Sequence, residues 1–333
     1  MASENSTAES CVVNDQMKPF AVLYTFIFLA GMAGSLVALW ASLRRRVFKR
    51  CLNVYLVNLL VSDFLLMLAL PVKITKDLGV HSQRLTVFHC QCSAVLIYIN
   101  MYVSIIFLAL VSVHRYLQVT QSSQLLRLQE VCFAVVMSAV VWVLVLFIKV
   151  PNMAIPIAEN VPDTPALTCA DLKQEVGRHW HTLSVFLGAA IFLNASVAVL
   201  LSNGLALRQL WGRRGADPER RAAVRHATFH IAAVTAAYVL CFVPYHAVRM
   251  PYTFTQTKVL VNDCPVRRRL FLAKEATLLL AILHLCFDPL LYFCLSSSST
   301  VRVPETFSGH EQELHLQLQE PATSEPNTPN KEK

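Results

Sequence analysis

The chain has 333 residues, of which 55% are hydrophobic and only 15% charged, with a formal net charge of +8. Ordinary soluble proteins carry about 25% charged residues, so a mean hydropathy of +0.49 means more apolar surface than a soluble core of this size can hide. It must meet lipid. A glycine count of 9, and 10 cysteines diluted through a long chain, exclude collagen-like, disordered and small disulfide-framework proteins. Basic loops on an anionic membrane face account for the positive charge, so no nucleic-acid partner is inferred.

Residues 1–19 form a polar N-terminal tail containing Glu4, Glu9 and Asp15, without the basic start and apolar run of a cleavable signal. The first apolar segment is therefore expected to act as both anchor and targeting signal. Seven stretches then reach the length of about 20 residues that a helix needs to cross a bilayer. They are 20–43, 53–73, 90–115, 131–150, 181–205, 226–252 and 271–295. The breaks between them are short and polar, so residues 20–295 read as one domain, an all-α membrane protein built as a seven-transmembrane-helix bundle. Pro71 and Pro244 fall inside spans and are expected to kink them.

From Ser296 onward the chain becomes rich in Glu, Gln, Pro, Ser and Thr. Residues 296–333 thus read as a disordered cytoplasmic tail. His310-Glu311 with His315 misses the zinc-binding HExxH spacing by one place. Lysines and arginines divide almost evenly between the two sides and barely fix orientation. Asn5-Ser6-Thr7 is a glycosylation acceptor, useful only if the N-terminus is extracellular.

A charge at the centre of a span costs about 2.5–3.5 kcal/mol, so buried polar residues mark function. Asp63 and Asp288 lie deep in spans two and seven, with Asn58, Ser104, Asn194 and His284 as further polar groups at depth. Two readings of Asp63, Ser104, His284 and Asp288 stand side by side: a sodium site with Asp63 as main ligand, or an inter-helix hydrogen-bond network with one carboxylate protonated. No GxSxG or HExxH occurs and no internal repeat is visible, so neither an intramembrane enzyme nor a repeat-built transporter is expected.

Several motifs agree in order and spacing. They are Cys90, Ser112-Val113-His114-Arg115-Tyr116, Trp142, Cys241-Phe242-x-Pro244 and Asp288-Pro289-x-x-Tyr292. Together they resemble the rhodopsin-like (class A) G-protein-coupled receptors. His246-x-x-Arg249-x-Pro251-Tyr252-Thr253-x-x-Gln256-Thr257 and Lys274-Glu275-Ala276-Thr277 are similar to the purinergic nucleotide receptors and their orphan relatives. The resemblance implies a plasma-membrane receptor whose Arg115 contacts a heterotrimeric G protein, with Phe242, Pro244, Asp288, Pro289 and Tyr292 serving the movement. Arrestin is a further partner through Ser296–Thr300. It also implies a Cys90–Cys169 disulfide and a second bridge between Cys11 and Cys264. The inhibitory G-protein class is the branch's guess. Departures are His114 in place of the acid before Arg115, Ser35 in place of an asparagine in span one, and serines after Leu295 in place of an aromatic-basic helix.

The outer half carries the ligand reading. Lys73, Arg249 and Lys274 lie at the outer ends of spans two, six and seven, with His246 and Tyr252 one turn either side of Arg249. Tyr98 and Tyr102 share a face of span three, and Asn152 and His181 border the second outer loop. Cations with tyrosines around a cleft suit an anionic, partly aromatic ligand. Lys73 reads equally as a snorkelling lysine, and the tyrosines equally as packing residues. Arg267-Arg268-Arg269 reads as a solvated loop. The expected function is a cell-surface receptor for an extracellular anion. A small-peptide receptor and a ligand-silent or scaffolding receptor are the alternatives.

Overall fold

A computed structural model describes residues 17–44, 51–80, 82–120, 130–157, 169, 172–212, 218–256 and 263–298. Among them seven helices are long and apolar enough to cross a membrane. They are α1 (Lys18–Arg44), α2 (Cys51–Asp77), α3 (Gln83–Thr120), α4 (Val131–Ala154), α5 (Glu175–Gly212), α6 (Pro218–Gln256) and α7 (Cys264–Leu295). Each contains one of the seven expected stretches and mostly runs past it, because a helix continues into the headgroup region after hydropathy has faded. The end of the bundle holding the start of α1 is called outer, after the orientation expected from sequence.

α3 is the central element, packed on α2, α4, α5 and α6. In its most apolar stretch 72% of residues are buried inside the protein, against 22% in α1. The remaining faces present Phe26 and Leu29 of α1, Val143 and Phe147 of α4, and Leu193, Val197 and Leu201 of α5 to the surroundings. In lipid such faces need no cover. α1 is pressed against α7 at Gly31, where a Cβ would run into the Leu285 side chain. A glycine there allows the close approach that larger residues would block.

Side-chain amides tie the core. Asn58 of α2 accepts from Trp142 Nε1 at 2.8 Å and donates to Ser138 Oγ at 3.2 Å, both on α4. Asn203 of α5 donates to Ser112 of α3 at 3.3 Å and to Thr235 of α6 at 2.7 Å. Each is an inter-helix hydrogen bond of the kind that holds polar residues inside a bilayer. Asn194 behaves differently from the other polar residues at depth: it is exposed, and donates to Ala190 O of its own helix at 2.8 Å. Pro71, Pro244, Pro251 and Pro289 all lie inside helical runs. Among the described residues α7 is interrupted at Leu283, between Cys264–Ile282 and His284–Ser298.

Candidate ligand site and switch

At the outer end, α2 and α7 meet in a buried ion cluster. Lys73 Nζ lies 2.9 Å from Asp77 Oδ2 and 3.0 Å from Glu275 Oε2. Lys274 also pairs with Glu275 through its Oε1. Two ammonium groups thus meet two carboxylates, and Tyr24 of α1 closes the cluster with its ring 4.9 Å from Lys73 Nζ. Buried charges persist only when paired in this way. Lys73 neither snorkels nor stands open to a ligand, and the charge of Lys274 is already matched. The sequence reading lacked Asp77, and it had Glu275 only as a motif residue, not as the partner of both lysines.

A second group of cations faces no acid among the described residues. Arg249 of α6 is buried and donates from Nη2 to His181 Nε2 of α5 at 3.1 Å. Its guanidinium stands 5.7 Å from the ring centres of both Tyr98 and Tyr252. Lys149, at the outer end of α4, is also buried. It donates to Ser184 O at 2.9 Å and lies 4.2 Å above the Tyr102 ring. Lys173, just before α5, donates to Asn152 Oδ1 at 3.0 Å. Among the described residues no carboxylate pairs with Arg249, Lys149 or Lys173. Burial, with the charge of Arg249 adding to it, pushes the Lys173 amine down to about 8.

Asn152 fastens this group. Its Nδ2 reaches Lys149 O at 3.3 Å and Ser184 Oγ at 3.4 Å. The floor below is aromatic: His246 stacks on Phe192 at 3.9 Å, with Tyr102 and Tyr245 edge-on at 5.8 and 5.3 Å. Tyr102 can fill this space because α5 has Gly188 opposite, where a Cβ would collide with the tyrosine ring. Cys169 is held to α3 by the Cys90–Cys169 disulfide, with its Cα atoms 5.3 Å apart. Cys90 belongs to a widened turn, His89–Ser93, where the α3 ladder shifts to π-helical spacing. A small cleft lined by Gln91, Asn152, Leu172 and Lys173 opens beside the disulfide.

The structure therefore brings Arg249, His181, Tyr98 and Tyr252 together, with Tyr102, His246 and Asn152 around Lys149 and Lys173. Lys73 and Lys274 belong to the neutral cluster instead. Lys149 and Lys173 are the ligand-side residues the sequence reading missed. Cys264 is disulfide-bonded. Cys11, Asn5, Ser299 and Thr300 lie outside the described residues.

Near the middle of the bundle, Asp63, His284 and Asp288 bring one ligand atom each within 4.8 Å of one another. Asn100 donates to Asp63 Oδ1 at 3.3 Å, while Ser104 is bonded to Ser62 at 3.2 Å. Asp63 Oδ2, both Asp288 oxygens, Asn100 Oδ1 and His284 Nε2 are buried without a hydrogen-bond partner, with His284 Nε2 3.8 Å from Asp63 Oδ1. Orphaned carboxylate and amide oxygens in one place are a donor set that fits a small hard cation.

Toward the inner end, His114 is buried with its Nδ1 unpartnered and its ring edge-on to Tyr55 at 6.5 Å. Arg115 makes no ion pair among the described residues; its Nη2 donates to Leu295 O of α7 at 3.4 Å. Tyr116 packs against the α5–α6 contact around Leu210 and Ile231. Phe242 sits between Tyr238 and His284, at 5.5 and 5.3 Å, and Tyr292 is buried against Phe293.

Comparison with known proteins bears on the fold and family. Residues 34–292 match the family model described as 7 transmembrane receptor (rhodopsin family). G-protein coupled receptor 171 of Bos taurus is 51% identical over 302 residues, covering 91% of this chain and 93% of the relative. The Homo sapiens protein of the same name is 50% identical over 299 residues, covering 90% and 92%. A more distant relative, purinoceptor 14 of Bos taurus, is 32% identical over 294 residues, covering 88% and 86%.

Proposed function

The chain belongs to the rhodopsin family of seven-transmembrane receptors, in its purinergic-like branch, and on that premise we propose that it is a receptor for an extracellular anion. The observation that carries this reading is the group Arg249, Lys149 and Lys173. These are three cations held together with no carboxylate among the described residues, beside the tyrosines 98, 102 and 252. Such a group is costly to assemble unless something negative enters it. Arg249 can take a phosphate or carboxylate with its planar fork, and the rings can stack on an aromatic moiety. Relatives named as purinoceptors favour a purine-bearing anion over the alternative of a small acidic peptide.

Binding would act by difference. Arg249 comes from α6, Lys149 from α4 and Lys173 from the segment before α5, so an anion touching all three draws those elements together. A ligand shifts the receptor only through unequal affinity for its states. The inward consequence is engagement of a heterotrimeric G protein, of the inhibitory class, by Arg115 and the inner helix ends. Arrestin would follow through Ser296–Thr300. A sodium ion held by Asp63 and Asp288, with Asn100 and His284 beside them, would couple to the same movement. The N-terminus lies outside, Asn5 carries a glycan and Cys11 pairs with Cys264. A ligand-silent receptor is the second reading, favoured by His114, which stands before Arg115 in place of the family acid.

The test is a screen of anionic and neutral ligands read by inhibitory G-protein dissociation in cells. Arg249→Ala and Lys149→Ala serve as site variants at matched surface expression. Activation that survives both variants, or a hit list of neutral compounds alone, would count against the anion reading.

A further inference from the structure

The inner part of α6 carries two histidines used by neither the ligand site nor the switch. His226 and His230 are four residues apart, so their side chains share a helix face. His226 Nδ1 and His230 Nε2 lie 3.0 Å apart, with ring centres at 4.3 Å and planes at 77°. His230 is only 4% exposed and its Nδ1 has no partner, whereas His226 is exposed. The pair therefore has a rigid inner member and an accessible outer one.

Two nitrogens bound to one first-row metal at about 2.0–2.1 Å stand ~2.9 Å apart at a right angle and ~3.3 Å apart in a tetrahedron. The observed separation falls between these values. A neutral imidazole can ligate through one nitrogen and keep its proton on the other, so the ion can replace the shared hydrogen bond without net proton loss. Two histidines at this spacing on one helix also supply the metal ligands of the HExxH motif.

We propose that His226 and His230 form a binding site for a divalent transition-metal ion of the copper or zinc class. Imidazole selects these ions over magnesium and calcium, which prefer oxygen. Around the pair, Val224 and Ile231 pack with Tyr116 and Val119 of α3 and Leu210 of α5. The charge of Arg115 reaches His230. That neighbour opposes an incoming cation and keeps the affinity modest. It also puts the ion at the face assigned above to the G protein, so an occupied site obstructs coupling. This consequence rests on the receptor reading; the metal site itself does not.

The experiment uses full-length protein in lipid nanodiscs with copper(II) as the probe, followed by electron paramagnetic resonance. The expected wild-type spectrum contains a component split by two imidazole nitrogens. His226→Ala and His226→Gln should each remove that component and weaken copper binding by at least about tenfold. His179→Ala, at an exposed outer-end histidine, should keep it. A spectrum and affinity unchanged in both His226 variants would overturn the site. In inside-out membranes supplied with G protein, zinc should lower nucleotide exchange in the wild type and lose that effect in His226→Gln. A wild-type two-nitrogen spectrum with no zinc effect on exchange would overturn the obstruction alone. Absence of exchange under every condition would weigh against the receptor reading and leave the metal pair standing on its spectrum.

Discussion

Arg249 of α6 donates to the Nε2 of His181 on α5 across 3.1 Å, so among the described residues a buried guanidinium has a ring nitrogen, and no carboxylate, as its close partner. Where α2 meets α7 the reverse holds, since Lys73 and Lys274 both rest on Glu275. Among the described residues the outer half thus holds one ion-paired cluster and one group of cations without a carboxylate. The division matters for the proposed anion site, because the charges of Lys73 and Lys274 are already matched.

The neutral cluster should behave as structure. Glu275→Gln leaves Lys274 buried without its carboxylate, and breaking a buried pair costs about 3–5 kcal/mol. Surface expression should fall sharply. Lys274→Gln combined with Glu275→Gln should recover part of it, because the charge is removed along with its partner. Quantitative surface labelling checks this. Equal losses in the single and double variants would contradict the pairing.

Lys173 gives the ligand site a pH dependence. Its amine is pushed down to about 8, and an anion favours the charged form, so binding raises that value. Affinity is then full below about pH 8 and declines as pH rises above it, until the amine of the complex also loses its proton. Agonist potency measured from pH 7 to pH 9 should fall in the wild type. It should fall less in Lys173→Arg, whose guanidinium stays charged.

His114 stands where an acid would pair with Arg115, and Arg115 instead reaches Leu295 O at 3.4 Å. A neutral-to-charged hydrogen bond of that length is a weak restraint. His114→Asp supplies the missing carboxylate and should lower ligand-free signalling. Unchanged basal activity at matched expression would show that other contacts hold the receptor off.

Cys90 and Cys169 close a sequence separation of 79 residues, and such a bridge contributes about 2–4 kcal/mol. Cys169→Ser should therefore reduce surface expression and loosen Lys173, which follows Cys169 closely in the chain. Normal surface levels with normal agonist potency would contradict that role.

The helices were legible because hydropathy over some twenty residues is a local signal, and α1–α7 each contain an expected stretch. Arg249 and Tyr252 were legible because motif and charge agreed, whereas His181 and Tyr98 were named only from their places beside the second outer loop and on one face of span three. The division of the cations was not legible. Glu275 touches Lys73 across 202 residues of sequence, and no local spacing reveals that pairing. Asp77 was closer to view, since Lys73 and Asp77 are an i,i+4 pair on one helix. Lys149 ends an apolar run, where a lysine ordinarily snorkels. Only the packing of Tyr102 and Ser184 against it turns it inward. The Asp63, His284 and Asp288 group was legible as polar residues at depth, but Asn100, the donor to Asp63, was missed.

The central claim is that an anion is held by Arg249 together with Lys149 and Lys173. The direct measurement is agonist potency for Arg249→Ala, Arg249→Lys, Lys149→Ala and Lys274→Ala at equal surface expression. Loss of a charge-assisted contact worth about 1.5–3 kcal/mol lowers potency roughly ten- to a hundredfold. That loss is expected for Arg249→Ala and Lys149→Ala, with partial recovery in Arg249→Lys. Lys274→Ala should change potency far less than Arg249→Ala does. Unchanged potency in both Arg249→Ala and Lys149→Ala would contradict the anion site and favour a neutral ligand.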